Sequence, residues 1–174
     1  MAVRVFISML NIKIICVGKL KERFYIDAEN EYLKRLAGYC KPEIIELPEH
    51  RLPPAGPSAS QIELALEKEG SAVMRAEIAG KPQPGTLTIA LCSEGREMDS
   101  RGFSGFLSEC ALKGSSRLCF LIGGSYGLHD DLKNKADMRL SLSKMTFPHH
   151  LARIVLLEQL YRAFNINEGG KYHK

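Results

Sequence analysis

The 174-residue chain has no tryptophan and carries little net charge, +4 with histidine neutral. A balance that small fits a nucleic-acid partner without establishing one, and a slightly basic cytosolic enzyme explains it equally well. The five cysteines (Cys16, Cys40, Cys92, Cys110 and Cys119) form no C-x-x-C pair. An odd number of scattered thiols without metal spacing points to reduced side chains and a cytoplasmic compartment. No apolar run reaches membrane-spanning length, and internal repeats and low-complexity tracts are missing. P-loop, G-x-S-x-G, H-E-x-x-H and paired-carboxylate signatures are missing too, which counts against kinases, hydrolases and metalloenzymes. The glycines of "FLIGGSYGL" are spaced G-G-x-x-G, so the G-x-G-x-x-G dinucleotide fingerprint is also missing.

What is present is an alternation of strand-like and helix-like segments. The start, "MAVRVFISMLNIKIICVG", is apolar but lacks a basic leader and a small-residue cleavage site, and Asn11 and Lys13 interrupt it. Residues 1–8 read as an upstream extension, with Met9 an alternative start, and 9–174 as one domain. Residues 12–17 read as the first strand. A helix follows in which Phe24, Ala28, Tyr32 and Leu36 recur every four residues. "EIIEL" is a short strand. Four of the eight prolines then crowd residues 48–57 and exclude regular structure there. Ser60 and Glu63 have capping-box spacing for a helix through about Ala79. Strand 86–91, a turn around Gly95, helix 100–112 and strand 117–122 come next. A short helix from about Asp130, "MRLSL", and a final helix from about Pro148 to Ile166 complete the order. Such alternation implies an α/β fold: one domain, a mostly parallel sheet, helices on both faces.

Ligands of such sheets sit beyond the carboxyl ends of strands. Three segments qualify: "ALCSEG", "FLIGGSYGL" and "LSLSKMTFPHHLAR". On the last helix Arg153 shares a face with Leu157, Leu160 and Phe164. An arginine on an apolar face needs a carboxylate, carbonyls, a substrate phosphate or a neighbouring subunit, or else snorkels to water. His149 and His150 follow Pro148, which suits the first helical position, and adjacent histidines on a helix are not a metal pair. The end, "KYHK", is either a solvated basic tail or an aromatic between cations of the kind that stacks bases.

Together "VGKLKERF", "FLIGGSYGLHDD", "LSLSKMTFPHHLARIVLLEQLYRAF" and the terminal "YHK" resemble the large-subunit ribosomal RNA methyltransferase H family of the SPOUT class, from about Met9 to Lys174. The resemblance implies an α/β domain whose C-terminal segment forms a trefoil knot, and N3 methylation of a pseudouridine in 23S rRNA of the assembled ribosome. It implies S-adenosyl-L-methionine as methyl donor, with no metal, held by Leu91, Gly123, Leu142, Ser143, Lys144, Met145, Thr146 and Phe147. It implies a homodimer through the C-terminal helix, and no membrane partner. Arg153 would stabilise developing charge or hold a phosphate, and His149, Tyr172 or His173 would accept or relay the N3 proton. The alternatives within this resemblance are another rRNA or tRNA site, and a catalytically silent RNA-binding module.

Overall fold

The computed structural model describes residues 10–78 and 85–172. The expected extension 1–8, the alternative start Met9, the helix end at Ala79 and His173 lie outside them. Among the described residues five strands, β1 (Asn11–Val17), β2 (Lys41–Leu47), β3 (Thr86–Glu97), β4 (Arg117–Ile122) and β5 (Met138–Ser141), form one sheet in the order β2-β1-β4-β3-β5. Every pairing is parallel. The helices are α1 (Arg23–Leu36), α2 (Ala59–Ile78), α3 (Ser100–Leu112), α4 (Asp130–Lys135) and α5 (His149–Asn167). The expected α/β architecture is what the chain adopts.

The near-continuous apolar runs of β1 and β4 follow from burial on both faces. Ile12, Ile14, Phe120 and Ile122 face one core with residues of α1, α3 and α5, among them Leu36, Leu107, Leu156 and Leu160. Ile15, Val17, Cys119 and Leu121 face a second core with Val73 of α2 and Leu132 of α4. The helix after β4 thus lies on the opposite face from those after β3 and β5, which leaves a crevice at the strands' carboxyl ends.

Several boundaries differ from the sequence expectation. Pro148 is the cap of α5, its ψ of 139° still extended, so His149 is the first helical residue. The box at the start of α2 is built by Ser58 and Gln61, two residues before the expected pair: Gln61 N–H donates to Ser58 Oγ and Ser58 N–H to Gln61 Oε1. The stripe of α1 is uneven, since Leu36 is buried while Phe24 is 65% exposed beyond the core. Around Gly95 the expected turn is an excursion within β3. Leu91 and Arg96 both pair with Leu140, so the chain leaves β5 and returns to the same residue. A Cβ on Gly95 would stand 2.6 Å from the Leu140 carbonyl carbon, which is why glycine sits at this crossing.

Candidate functional site

At the carboxyl ends of β3, β4 and β5 three irregular segments enclose a cavity of about 350 Å³. Leu91, Cys92 and Ser93 line it from β3, residues 122–127 from the glycine turn after β4, and Leu140, Ser141, Leu142, Ser143, Met145, Thr146, Phe147, His149 and Ala152 from β5 onward. Of the expected cofactor residues only Lys144, which is exposed, falls outside the lining. Two large apolar side chains stay in solvent at this cavity, Met145 at 75% and Tyr126 at 48% exposure.

The glycine turn is shaped by close approach. A Cβ on Gly123 would lie 2.1 Å from the Gly127 carbonyl oxygen, so a side chain there would break the turn. Gly127 N–H donates back to the Gly124 carbonyl at 3.0 Å. The proline-rich loop after β2 clamps this turn from outside: Glu49 Oε1 accepts from Ser125 N–H at 2.9 Å and from Ser125 Oγ at 2.5 Å. Burial alone would raise the Glu49 pKa, but the two Ser125 bonds and the nearby His149 and His150 outweigh it and hold the carboxyl below its usual 4.5. Glu69 accepts from His50 N–H at 2.7 Å. Burial, helped by Glu49, pushes its carboxyl above the usual value despite that bond.

Opposite the glycine turn, residues 142–147 belong to neither helix nor strand. Ser141 Oγ donates to the Ser143 carbonyl and Met145 N–H donates to Ser143 Oγ, both at 2.9 Å. Their backbone groups therefore border the cavity outside any ladder. Apolar Leu91, Ile122, Leu142 and Phe147 supply its walls. This combination suits a ligand with a flat ring and a polar edge.

His149 reaches the cavity from the first turn of α5, while its Nε2 is buried against the β1–α1 turn without a hydrogen-bond partner among the described residues. A Cβ on Gly18, whose φ is +94°, would sit 2.7 Å from that nitrogen. Burial, and then the charge of His150, lower the His149 pKa below the usual 6.5, so the imidazole is neutral at neutral pH.

Arg153 lies behind the cavity, 1% exposed. Its Nη1 donates to Glu46 Oε1 at 2.7 Å and to Glu29 Oε2 at 3.0 Å, and its Nη2 donates to the Gly18 carbonyl at 2.9 Å. The partners that the lone arginine required are thus two carboxylates and a carbonyl of its own chain. Burial alone would lower its pKa, but Cys16 and the two carboxylates raise it overall. The apolar stripe beside it is buried against α1, α3 and the sheet, so those residues need no second copy to cover them. The outer side of α5 carries an ion pair, Arg162 with Glu158 at 2.6 Å.

Tyr172 is not brought to the cavity. Its N–H donates to Asn165 Oδ1 at 3.1 Å, its ring lies 4.9 Å from that of Tyr161, and the Arg162 guanidinium stands 4.7 Å over it. Tyr161 is twelve residues beyond His149, about 18 Å along the helix. The clamp residue Glu49 and the Gly18 contact escaped sequence reasoning, since a polar residue in a proline-rich loop and a strand-ending glycine carry no periodic signal. The nearest hint was that both follow strand carboxyl ends.

Comparison with known proteins supplies a context for this geometry. A family model described as "Predicted SPOUT methyltransferase" matches residues 10–173. The chain is 44% identical over 165 residues to the ribosomal RNA large subunit methyltransferase H of Clostridioides difficile strain 630, covering 95% of this chain and 100% of the relative. It has the same identity and coverage with the protein of that name from Bacillus thuringiensis strain Al Hakam. A crystal structure of a "probable methyltransferase" from Bordetella pertussis Tohama I shares the fold, with a TM-score of 0.55 and 15% identity, over 91% of this chain and 99% of that one.

Proposed function

The chain belongs to the SPOUT methyltransferase family, and from that premise we propose that it transfers the methyl group of S-adenosyl-L-methionine to N3 of a pseudouridine in 23S rRNA of the assembled ribosome. The observation that carries this reading is the cavity where the glycine turn, the end of β3 and residues 142–147 meet, in a chain 44% identical to relatives named for large-subunit rRNA methylation. Leu91, Gly123, Leu142, Ser143, Met145, Thr146 and Phe147 would hold the cofactor, through backbone groups at its polar edge and apolar side chains around its ring; exposed Lys144 would reach it only from the rim. The trefoil knot belongs to the same reading, supported by the way β3 brackets Leu140 from both sides.

When bound, the sulfonium supplies a methyl group that is already activated, its C–S electron pair returning to sulfur on transfer. The chain's own task is therefore to position the uracil ring and to take one proton. That proton leaves N3, an imide-like position between two carbonyls, as the nitrogen bonds the methyl carbon. His149 is its acceptor in this reading, because it lines the cavity and its lowered pKa keeps it neutral. Arg153 acts as a positioning residue, since its guanidinium is committed to Glu46, Glu29 and the Gly18 carbonyl. Tyr172 packs far from its own cavity, so a role for Tyr172 in proton relay requires the tail of a second copy. A homodimer through α5 would use the outer face of that helix, as the stripe is already covered.

Calorimetric titration with S-adenosyl-L-methionine is expected to show binding, and none at millimolar ligand would sink the proposal. Transfer of labelled methyl to assembled ribosomes, with 3-methylpseudouridine found by nucleoside mass spectrometry, is the expected product. A label in tRNA or at another rRNA nucleoside would move the substrate, and RNA binding without transfer would leave a silent binding module.

A further inference from the structure

The buried Arg153 cluster fixes a piece of surface that the methyl-transfer reading does not use. Gly18 N–H donates to the Leu47 carbonyl at 2.8 Å, Leu20 N–H donates to Glu46 Oε1 at 3.1 Å, and Arg153 holds the Gly18 carbonyl. The β1–α1 turn is thus tied to β2 and α5 at three points. From this rigid turn the chain projects Lys19, Lys21, Arg23 and Phe24, all exposed.

The rings at this turn form a continuous ladder. Phe24 and Tyr25 have centroids 4.3 Å apart, Tyr25 and His150 6.0 Å, and His150 and His149 3.9 Å. The ladder runs from a phenylalanine in solvent to a histidine in the cavity wall. A phenylalanine left this exposed in the first turn of a helix contributes nothing to the core. Three cations within five residues also make the patch unsuited to an apolar partner and complementary to a polyanion. Two acids share the surface: Asp27 pairs with Arg23 Nε at 3.0 Å, and Glu22 lies 3.9 Å from His150 Nδ1. The first pair is exposed and weak in salt, the second is long and joins exposed Glu22 to a half-buried His150, and they leave Lys19 and Lys21 for phosphates.

We propose that the β1–α1 turn is a docking platform for single-stranded RNA beside the reacting nucleotide, with bases stacking on Phe24 and the Tyr25–His150 rings while Lys19 and Lys21 hold phosphates. Alternating cations and rings track a strand through its backbone charge and every base's π-face, whatever the sequence. The proposal rests on the rRNA reading in naming RNA as the partner, and places the flanking nucleotides along the ladder that ends at His149. Arg153 holds the carbonyl from which this platform starts.

The test is fluorescence anisotropy of labelled single-stranded oligouridylate, with a duplex RNA as control, on the native protein, on Phe24→Ala and on the Lys19→Ala/Lys21→Ala double variant. The native protein is expected to prefer the single strand. Phe24→Ala should weaken it by about fivefold or more, the loss of one stacked base. The double variant should lower the salt slope by roughly 0.7 per lysine. Cofactor titration should be unchanged in both variants, and the KM for ribosomes should rise with kcat retained. No single-strand preference, native affinity in Phe24→Ala, or conversion of that variant to monomers with RNA binding intact would each overturn the platform; the last would make this face a contact between copies. If ribosomes receive no methyl group while the variants still lose oligouridylate, the methylation reading fails and the platform stands.

Discussion

At the scale of single residues, Arg153 and His149 show how burial reassigns a side chain. Sequence spacing put a cation on an apolar stripe and left carboxylates, carbonyls, a substrate phosphate or a second subunit open as its partner; the substrate role came from the family resemblance. The fold surrounds it with Glu29, Glu46 and the Gly18 carbonyl. Removing one member of a buried ion cluster strands the others. Arg153→Ala should therefore destabilise the protein by about 3 kcal/mol in urea unfolding, the lower end of the usual range because both carboxylates keep some access to water. Arg153→Lys should recover part of that, since an ammonium replaces the charge but not the fork. Native stability together with lost methyl transfer in Arg153→Ala would return the residue to the substrate. For His149 the expectation is kinetic. A base with a pKa lowered below 6.5 is active above that pKa, so the native single-turnover rate should fall as pH drops through a value under 6.5. His149→Ala should be slower by about a hundredfold or more and lose that inflection. An unchanged profile would exclude it as the proton acceptor.

Among elements, the glycine turn after β4 depends on a loop distant in sequence. Glu49 follows β2 at the far side of the sheet order, yet it fixes Ser125 through two hydrogen bonds. Hydrogen bonds to a charged acceptor contribute about 1.5–3 kcal/mol each. Glu49→Ala should loosen the turn and weaken cofactor binding by about tenfold or more, with helix content unchanged by circular dichroism. Equal affinity for native and variant would show that the turn holds its shape unaided. The same scale explains α5. Its heptad-like stripe fills the core between α1 and α3, and its first turn lines the cavity, so one helix serves packing and site at different turns.

For the whole molecule the titratable groups predict an acid limb. Glu46 is held below its usual 4.5: burial opposes this, but the Arg153 hydrogen bond and the Leu20 N–H outweigh it. Glu49 is likewise lowered, and the Lys133 hydrogen bond draws Glu94 to about 2. Each of these carboxylates binds its proton more readily unfolded, so its contribution is present above pH 4.5 and lost as pH falls through the folded value. His149 is also lowered, so the unfolded chain takes up its proton first and stability begins to fall below 6.5. Glu69, raised by burial, has the opposite sign and offsets part of the loss. Scanning calorimetry against pH should show Tm nearly flat near neutrality, declining gently below 6.5 and steeply below 4.5. A Tm that rises on acidification would contradict these assignments.

Much of this protein was determined by the sequence alone. The alternation of apolar runs and four-residue stripes fixed five strands, the helices between them and the α/β class, because burial on both sheet faces demands that pattern. The carboxyl-end rule and the glycine pair located the three loops of the cavity, while the choice of Gly123, Leu142 and Phe147 within them came from the family resemblance. The family resemblance, not spacing, named the cofactor. Tertiary structure decided the rest: which groups Arg153 meets, that Glu49 clamps the glycine turn, that Tyr172 packs on Tyr161 and Arg162 away from its own cavity, and that Phe24 leaves its stripe for solvent. These depend on contacts between residues up to 135 positions apart, as from Arg153 to Gly18. Local periodicity records how strongly a residue prefers burial, and carries no information on which distant group will share its site.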